Sequence, residues 1–561
     1  MRQLIRTKLT LKIMNRLLGL AAIAAMTLQP LNINAQTTDG QAHKTVTVKN
    51  PWMWTDTPDP DIIRVGDYYY LVTTTMHMTP GGPIMRSKDL VNWETVSYLF
   101  DEIHDTPRYD LEQGTVYGRG QWATSIRYHK GTFWALFVAN DDPHKSMVFK
   151  TDDPAKGWKL HSRLPAYHDS SLFFDDDDRV YVFSGSGDIT LVELNSDLTA
   201  EKPGGVHKKL ELHGRPQGLH EGSRVIKHDG MYYLLCIAWP NTGRCEIAYR
   251  SRNIEGPYES KVIVKSEFGG FPFVGQGTIV DGKHGEWYGV IFQDRAGVGR
   301  VLTLSPCTWV DGWPMIGEVI REQGNGIDNY RYTARVPETM TLETEDDIEY
   351  TGKYGQQMKL EGGITMTKDY QFNHNPLKEA YTKNGNTYTF RSTKTYDNMF
   401  LARNTLTWRM WAPTCSDTVR IDASKMKDGD RAGFCVFSDN AGMMSVVREG
   451  GKYFLVLTNE VCELDPRNKA VTDVKVTELG RVAIPKSKIK NIQIAIDGNF
   501  VPRTDIATFR YCIDGKQWKQ MGGDFKMTFN WQKFFMGCRY GVYYYATKTP
   551  GGQVNISSRT F

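Results

Sequence analysis

Hydrophobic and polar residues follow one pattern five times between residues 59 and 288. Each copy has a polar or aromatic opening residue, a short apolar run, a turn rich in Gly or Asp, and an aromatic pair, in which Val180 replaces the first aromatic residue of the third copy. Two short strand-like runs around such a turn are typical of a β-hairpin. The five predicted hairpins occupy residues 59–70, 122–134, 169–181, 221–233 and 276–288.

The spacing of these hairpins predicts a β-propeller. Their last aromatic residues lie 47 to 64 residues apart, and units of short strands that repeat near this period are typical of propeller blades. The first strand of each blade lines the central channel, so the opening residues should meet there. The five opening residues are Asp59, Trp122, Asp169, Glu221 and Gln276.

Three of the opening residues are acids, namely Asp59, Asp169 and Glu221. Carboxyl groups in one pocket cannot all ionise at their solution pKa values, because each negative charge raises the pKa of its neighbours. One acid would stay protonated opposite an ionised one, as glycoside hydrolysis requires. The alternative is that these acids only bond backbone amides or hold a structural cation. Three acids in register favour catalysis.

The segments around the acids resemble the three signature blocks of glycoside hydrolase family 43, whose members are five-bladed propellers that hydrolyse arabinosides and xylosides with inversion. The matching segments are residues 57–70, 168–177 and 221–233. The resemblance implies that Asp59 is the general base, that Glu221 is the general acid, and that Asp169 orients the acid and tunes its pKa. It covers roughly residues 50–320.

The same resemblance implies a set of sugar-binding residues. Trp122 begins a block like the Trp-Ala-Pro-Ser block of the family, with Thr124 in place of Pro, and would wall the sugar pocket. Arg300 matches a segment whose Arg reaches the sugar. Gln276 would bond a sugar hydroxyl, and Trp54, just ahead of the base, would stack on the sugar or belong to the propeller core.

Gln276 bears on both metal binding and substrate. Many members of the family have His at this position, where it helps to hold water or a cation in the channel. No cofactor is required by this resemblance, and glutamine could still coordinate a structural calcium in the channel. Branches that act on arabinofuranosides carry such a Gln-Gly block, followed by a segment like Phe292-Gln293-Asp294.

These observations predict an inverting, exo-acting α-L-arabinofuranosidase that acts on plant cell-wall polysaccharide or oligosaccharides. A β-xylosidase of the same family is the first alternative, because pentopyranose and arabinofuranose fit similar pockets. A non-catalytic carbohydrate-binding propeller is the second. A binder has no need of a full proton-transfer set, so three acids in register favour an enzyme.

Beyond Trp313 the repeat stops, and strand-like runs separated by Gly, Asp or Asn follow up to residue 513. Many short strands without helical periodicity predict an all-β chain with a β-sandwich after the propeller. Residues 373–376 and 402–409 resemble the lectin-like, concanavalin A-like sandwich of some exo-acting members. By that resemblance the sandwich lends a loop that closes one end of the cleft, the alternative being that it only shields the propeller.

The N-terminal segment predicts export. Five basic residues precede an apolar run from Leu17 to Leu28, which is too short for a membrane span, and small residues follow near Ala35. The predicted domains are a signal peptide at 1–35, the propeller at 36–325, and a linker with the sandwich at 326–561. The protein would be periplasmic or extracellular, without a membrane anchor. Its 68 Lys and Arg against 64 Asp and Glu argue against nucleic acid as a partner.

Two histidines and two cysteines bear on the fold. His168 and His220 each precede a proposed catalytic acid, and consecutive side chains of a regular strand point to opposite faces. We therefore expect both histidines to face away from the acids and to serve in packing or support rather than as ligands. Cys236 and Cys245 flank a turn and either form a cross-strand disulfide or stay as buried thiols.

Overall fold

The computed structural model describes residues 44–216, 218–240, 243–265, 267–272, 274–323, 330–345 and 350–561. The predicted signal peptide lies outside these residues. Within them no helix is long and apolar enough to cross a membrane. The described part is all-β, as predicted, and its helical elements are six 3-10 turns at Pro107–Asp110, Pro154–Lys156, Ala296–Val298, Lys378–Ala380, Met399–Leu401 and Lys486–Lys488.

Five four-stranded antiparallel sheets confirm the predicted propeller. Each predicted hairpin supplies the two inner strands of one blade. Blade 1 comprises Asp61–Val65, Tyr68–Val72, Gly81–Ser87 and Glu94–Phe100; blade 2, Gln121–His129, Thr132–Ala139, Lys145–Thr151 and Lys159–Leu164; blade 3, Ser171–Phe174, Val180–Ser184, Thr190–Leu194 and His207–Lys209; blade 4, Leu219–His228, Met231–Trp239, Cys245–Ser251 and Glu259–Val264; and blade 5, Gly277–Asp281, Trp287–Asp294, Arg300–Val310 and Trp313–Ile316.

The blades pack against each other through the apolar residues of the repeat. Between blades 3 and 4, for example, Phe173 and Tyr181 lie in one buried cluster with Leu234 and Tyr249. The aromatic pair that ends each hairpin therefore belongs mainly to the packing between blades. Because every blade is buried on two faces, the inner strands are held rigidly around the channel.

Two larger sheets form the predicted C-terminal sandwich. The first sheet takes in Met78–Thr79 from the propeller, where Thr79 pairs with Phe372, so the two domains share a sheet. In order across the sheet, its strands are Val471–Ile484, Lys452–Leu464, Asn440–Glu449, Asp430–Phe437, Arg539–Ala546, Leu406–Arg409, Gln371–Asn373 and Met78–Thr79; those of the second are Tyr381–Asn384, Thr387–Arg391, Gln553–Ser557, Thr414–Asp422, Ile492–Asn499, Ile506–Cys512 and Lys519–Lys526.

Aromatic residues fill the space between the two sandwich sheets. Trp408 and Phe434 stack with ring centroids 5.6 Å apart, and Phe434 and Tyr540 stack at 5.4 Å. All three rings are fully buried. Stacks of this kind add to the free energy gained from burial alone. All three rings come from the first sheet, and the Tyr540 hydroxyl donates to the Ile496 carbonyl of the second sheet at 3.2 Å.

Three strand pairs pack against the propeller, and all of their strands except Thr45–Lys49 lie between the propeller and the sandwich in the sequence. Leu342 and Ile364 from this region lie in one buried cluster with Trp52 and Leu71. The chain therefore follows the propeller surface before it enters the sandwich. The three pairs are Thr45–Lys49 with Thr339–Glu343, Glu318–Gln323 with Tyr330–Arg335, and Gln357–Lys359 with Thr365–Thr367.

The eight cysteines are all buried and free. Cys236 pairs across the strands with Ile247, whereas Cys245 pairs with Ala238. The two cysteines are therefore offset by two positions, about 7–8 Å for such diagonal neighbours. This offset exceeds the reach of a disulfide, and the buried-thiol alternative is the one that the structure adopts.

Candidate active site

Asp59 and Asp169 each lie two residues before the first strand of their blade, Asp61–Val65 and Ser171–Phe174. Both have left-handed backbone angles, with φ of 53° and 45°. Residues other than glycine rarely adopt this conformation, and it recurs where a structure holds a functional side chain in a fixed direction. Asp59 and Asp169 therefore have equivalent backbone conformations as well as equivalent positions in the repeat.

Glu221 lies within the first strand of blade 4, at a bulge that separates the paired positions Glu221 and Arg224. Gly222 in this bulge has a φ of 75°. A Cβ atom at Gly222 would lie 2.4 Å from Cδ of Gln276, so only glycine fits there. The bulge breaks the regular alternation beside Glu221 and redirects its side chain.

Arg224 is fully buried and joins the loops that carry the acids. Its guanidinium donates hydrogen bonds to backbone carbonyls of blades 1 to 4. One side chain therefore fixes the starts of several inner strands, a role that we did not predict. The accepting carbonyls are those of Asp59, Pro60, Thr124, Ser170 and Ser223.

His168 contacts the proposed general acid. Its Nε2 lies 3.1 Å from Oε2 of Glu221 and 3.9 Å from Oδ2 of Asp169. The prediction that His168 faces away is wrong, because the left-handed backbone of Asp169 interrupts the strand alternation on which it relied. His220 does face away and is buried between the Gly187 carbonyl and the Tyr249 hydroxyl.

The pKa shifts in this cluster differ from the expectation that Glu221 is the group that keeps a proton. Burial, with the nearby charges of Glu221 and Asp59, raises the pKa of Asp169 to about 6 despite the opposing effect of His168. Burial also opposes ionisation of Glu221, but hydrogen bonds from His168 and Ser186 outweigh it and lower the pKa of Glu221. Burial acts against a charged His168, yet the same carboxyl groups raise its pKa to about 9.

The resemblance assigns the tuning of the Glu221 pKa to Asp169, and in the structure His168 acts on that pKa as well. The raised pKa of His168 and the lowered pKa of Glu221 favour the proton on the imidazole at neutral pH, so His168 has the supporting role that was one of the two expected for it. Because His168 and Glu221 interact strongly, they titrate as a pair that holds one proton over a wide pH range. Asp169 is still close to Glu221, since ligand atoms of His168, Asp169 and Glu221 lie within 4.8 Å of one another.

This cluster of His168, Asp169 and Glu221 has the donor atoms to hold a cation. A cation there would occupy the carboxylate oxygen that must deliver a proton, and a protonated imidazole cannot act as a ligand. The chemistry of the three groups therefore fits proton transfer better than metal binding. A structural calcium at Gln276 stays a prediction.

Asp59 is held by Arg300, whose Nη1 lies 2.9 Å from Oδ1 of Asp59. The backbone N–H of Arg300 donates to Asp56, and the N–H of Gly537 in the sandwich donates to the second oxygen of Asp56. Burial raises the pKa of Asp56, although Arg300 counteracts it. Asp56 thus ties the arginine beside the base to the second domain.

An aromatic wall faces the acids. Phe535 comes from the sandwich loop between Lys519–Lys526 and Arg539–Ala546. Its ring centroid lies 4.3 Å from the guanidinium carbon of Arg300 and 5.9 Å from the ring of Trp122. Trp122 also contacts His168, at 5.8 Å between ring centroids. The sandwich therefore lends a loop to the site, as the resemblance implied.

Gln276 and Trp54, the other two predicted sugar-binding residues, lie in different surroundings. Gln276 is buried beside Gly222, and its Nε2 has no hydrogen-bond partner among the described residues, so this donor is available to a hydroxyl. Trp54 packs against the sandwich core and lies 5.7 Å from the guanidinium carbon of Arg295. Its role in sugar binding stays a prediction.

The residues that we missed left different signals. Arg224 is a charged residue directly before the apolar pair Val225-Ile226 of an inner strand, and this position alone could have marked it. Phe535 carries no such signal, because only the tertiary fold brings it to Arg300. His168 was visible in the sequence, but its direction depends on the backbone angle of Asp169.

Two family models match most of the chain. Residues 48–314 match "Glycosyl hydrolases family 43", and residues 364–557 match "Beta xylosidase C-terminal Concanavalin A-like domain". The first range contains all three acids and Arg300. The second contains both sheets of the sandwich apart from Met78–Thr79, the strand that the propeller contributes.

Curated relatives carry two kinds of name. A beta-xylosidase from Formosa agariphila is 27% identical over an alignment of 575 positions, gaps included, that covers 91% of this chain and 90% of the relative. A non-reducing end alpha-L-arabinofuranosidase from Bacteroides ovatus is 30% identical over 292 residues, which cover 48% of this chain and 54% of the relative.

Solved structures of the same family share the fold of both domains. A bifunctional GH43-CE protein from Bacteroides eggerthii has a TM-score of 0.78 and 32% identity, with coverage of 92% of this chain and 63% of that one. A GH43 enzyme with an engineered active site has a TM-score of 0.79 and 26% identity, with coverage of 92% and 100%. We conclude that this chain belongs to glycoside hydrolase family 43 and is a glycosidase that hydrolyses O-glycosyl compounds.

Proposed function

We propose that the protein is an inverting, exo-acting pentosidase that removes single terminal sugars from plant cell-wall polysaccharide or its oligosaccharides. The observation that carries this proposal is the double contact of Arg300, which bonds Asp59 with one nitrogen and the Phe535 carbonyl with another. Arg300 thereby connects the general base to the sandwich loop that carries Phe535. This connection supports a pocket that the loop closes at one end. Such a pocket accepts a chain terminus rather than the middle of a chain.

The chemistry that we propose is a single displacement. Arg300 occupies Oδ1 of Asp59, which leaves Oδ2 to accept a proton from the attacking water. Glu221 gives its proton to the leaving oxygen on the other face of the sugar. Asp59 then releases its proton to solvent, and Glu221 together with His168 regains one proton from solvent, so that protons balance over the cycle. Inversion requires the two carboxyl groups to lie about 6.5–9.5 Å apart, with the water between.

The proton of Glu221 would arrive through His168. The imidazolium holds the proton at neutral pH and lies within hydrogen-bond distance of Glu221. As negative charge develops on the leaving oxygen, transfer from His168 to Glu221 to that oxygen becomes favourable. Asp169 supports the protonated form of Glu221 through its charge whenever Asp169 is ionised.

Two terminal sugars have specific support, and we rank β-xylosyl first. The relative that matches about nine-tenths of both chains bears the name beta-xylosidase. The second candidate is α-L-arabinofuranosyl, our prediction from the Gln276 block and the Phe292-Gln293-Asp294 segment, which the 30% identical arabinofuranosidase also favours.

Specificity constants on p-nitrophenyl β-D-xylopyranoside and α-L-arabinofuranoside test the proposal, with Glu221→Gln as the control for contaminating activity. We expect turnover of both glycosides, with a higher kcat/KM on the xyloside. A preference for the arabinofuranoside would move the second candidate to first place. The absence of activity on both, with intact folding, would contradict a pentosidase and favour the carbohydrate-binding alternative.

A further inference from the structure

A half-exposed tryptophan stands at the open end of the hairpin that carries the general acid. Trp239 ends the second strand of blade 4, pairs directly with Leu219, and is 50% exposed. Glu221 pairs with Ile237 in the same ladder. Directly paired residues share a face, and so do residues two apart along a strand. In the backbone ladder Trp239 is thus the diagonal neighbour of Glu221, about 7–8 Å away, although the bulge beside Glu221 turns the carboxyl toward His168.

The ring of Trp239 is held from behind by a buried arginine. The guanidinium carbon of Arg244 lies 5.1 Å from the centroid of Trp239 and 5.4 Å from that of Phe292. Arg244 also forms an ion pair with Asp294 in blade 5. Contacts with a cation add attraction to the packing of an aromatic ring. The exposed face of Trp239 is therefore presented in a fixed orientation.

The same contacts continue to the general base. Arg300 lies 5.5 Å from the ring of Phe292, on which Arg244 also packs, and bonds Asp59 at 2.9 Å. Guanidinium groups and rings thus alternate from Asp59 to Trp239. This continuity shows that Trp239 belongs to the rim of the active site rather than to a separate surface.

Its position relative to Glu221 decides which part of a substrate it can reach. The leaving oxygen must lie at the Glu221 carboxyl, whereas the sugar being released lies toward Asp59, Trp122 and Phe535. Trp239 is two strand steps nearer the open end of the hairpin than Ile237, the partner of Glu221, which is about the length of one sugar ring, and it is exposed to solvent there. A group attached to the leaving oxygen would therefore extend over the exposed face of Trp239.

We propose that Trp239 is the platform for the first sugar on the leaving-group side, and that it selects a pyranose ring such as a xylose of a xylan chain. The proposal rests on the proposed glycosidase function. A pyranose presents a flat face of C–H groups, which packs well on an aromatic ring, while its hydroxyls stay in water. Because Arg244 already fixes the ring, little conformational entropy is lost when the sugar binds.

The test compares two substrates that share the sugar being released. One is a xylo-oligosaccharide whose terminal sugar the enzyme removes, and the other is the glycosyl fluoride of that sugar, whose leaving atom is too small to touch Trp239. We expect Trp239→Ala to lower kcat/KM on the oligosaccharide about tenfold more than on the fluoride, and Trp239→Phe to restore most of the difference.

Trp518→Ala serves as the matched control, because Trp518 is a tryptophan 41% exposed on the sandwich that also packs with an arginine, Arg510. It should change neither rate. Equal losses on the two substrates in Trp239→Ala, or no loss on the oligosaccharide, would overturn the platform. A wild-type enzyme that cleaves the fluoride upholds the proposed function whatever Trp239 does, and one that cleaves neither substrate contradicts both proposals.

Discussion

His168 Nε2 lies 3.1 Å from Oε2 of Glu221, so the proposed general acid shares its proton with a histidine. The neighbouring charges are those of Glu221, Asp169 and Asp59, and all three raise the pKa of His168, to about 9. Glu221 in turn has a lowered pKa, because His168 and Ser186 hydrogen-bond to it. The pair therefore keeps one proton between acidic pH and about pH 9.

This pairing predicts the alkaline limb of the pH profile. In the wild type kcat/KM should fall as the pair loses its proton near pH 9. In His168→Gln the acid titrates without the histidine, and the limb should move to lower pH by about one unit or more. The measurement is kcat/KM from pH 4 to 10 on a substrate with a poor leaving group. An unchanged alkaline limb would mean that His168 does not supply the proton that Glu221 donates.

The same pair predicts how stability depends on pH. The pKa of His168 is raised in the fold, so its charge stabilises the folded state fully below its ordinary pKa of 6.5 and loses that effect as pH rises through about 9. The difference in Tm between wild type and His168→Gln should therefore be largest near pH 6 and vanish above pH 9. A difference that stays constant across this range would contradict the assigned charge.

Arg224 makes a prediction about stability that is separate from turnover. Arg224→Met would leave several buried carbonyls without a donor, so we expect a loss of about 3 kcal/mol or more in the free energy of unfolding. Arg420→Met, an exposed arginine of the sandwich, serves as the control and should change it by less than about 0.5 kcal/mol. Urea unfolding measures both. Similar small effects would show that Arg224 does not hold the inner strands.

The sequence predicted the propeller and the convergence of the acids because both depend on a repeat. Equivalent residues of a repeat occupy equivalent places, and Asp59 and Asp169 even share a left-handed backbone. The direction of His168 could not be predicted, since it depends on that same local angle. Phe535 could not be predicted either, because its contact with Arg300 arises only from the packing of one domain on the other.

Phe535 predicts how the second domain acts in catalysis. Phe535→Ala should raise KM for small pentosides by about tenfold, because the ring covers Arg300 and faces Trp122, and should lower kcat less. Phe529→Ala is the control, since Phe529 lies on the same loop and contacts Phe535 at 6.1 Å between ring centroids. Equal effects of the two changes would mean that the loop acts only through its fold.

The division of roles between Asp59 and Glu221 predicts a difference in rescue. Asp59→Asn and Glu221→Gln should each lower turnover by about 10²–10⁴ on ordinary substrates. A dinitrophenyl leaving group needs little protonation, so it should restore Glu221→Gln far more than Asp59→Asn. Equal restoration of both variants would show that the roles are not divided in this way.

The central claim is that Asp59 activates a water which displaces the leaving group directly. Proton NMR of the reaction at early times observes the anomeric configuration of the released sugar before it mutarotates. The account predicts that the first product has the inverted configuration. A first product of retained configuration would mean that a carboxylate attacks the sugar itself, and it would contradict the roles assigned to Asp59 and Glu221.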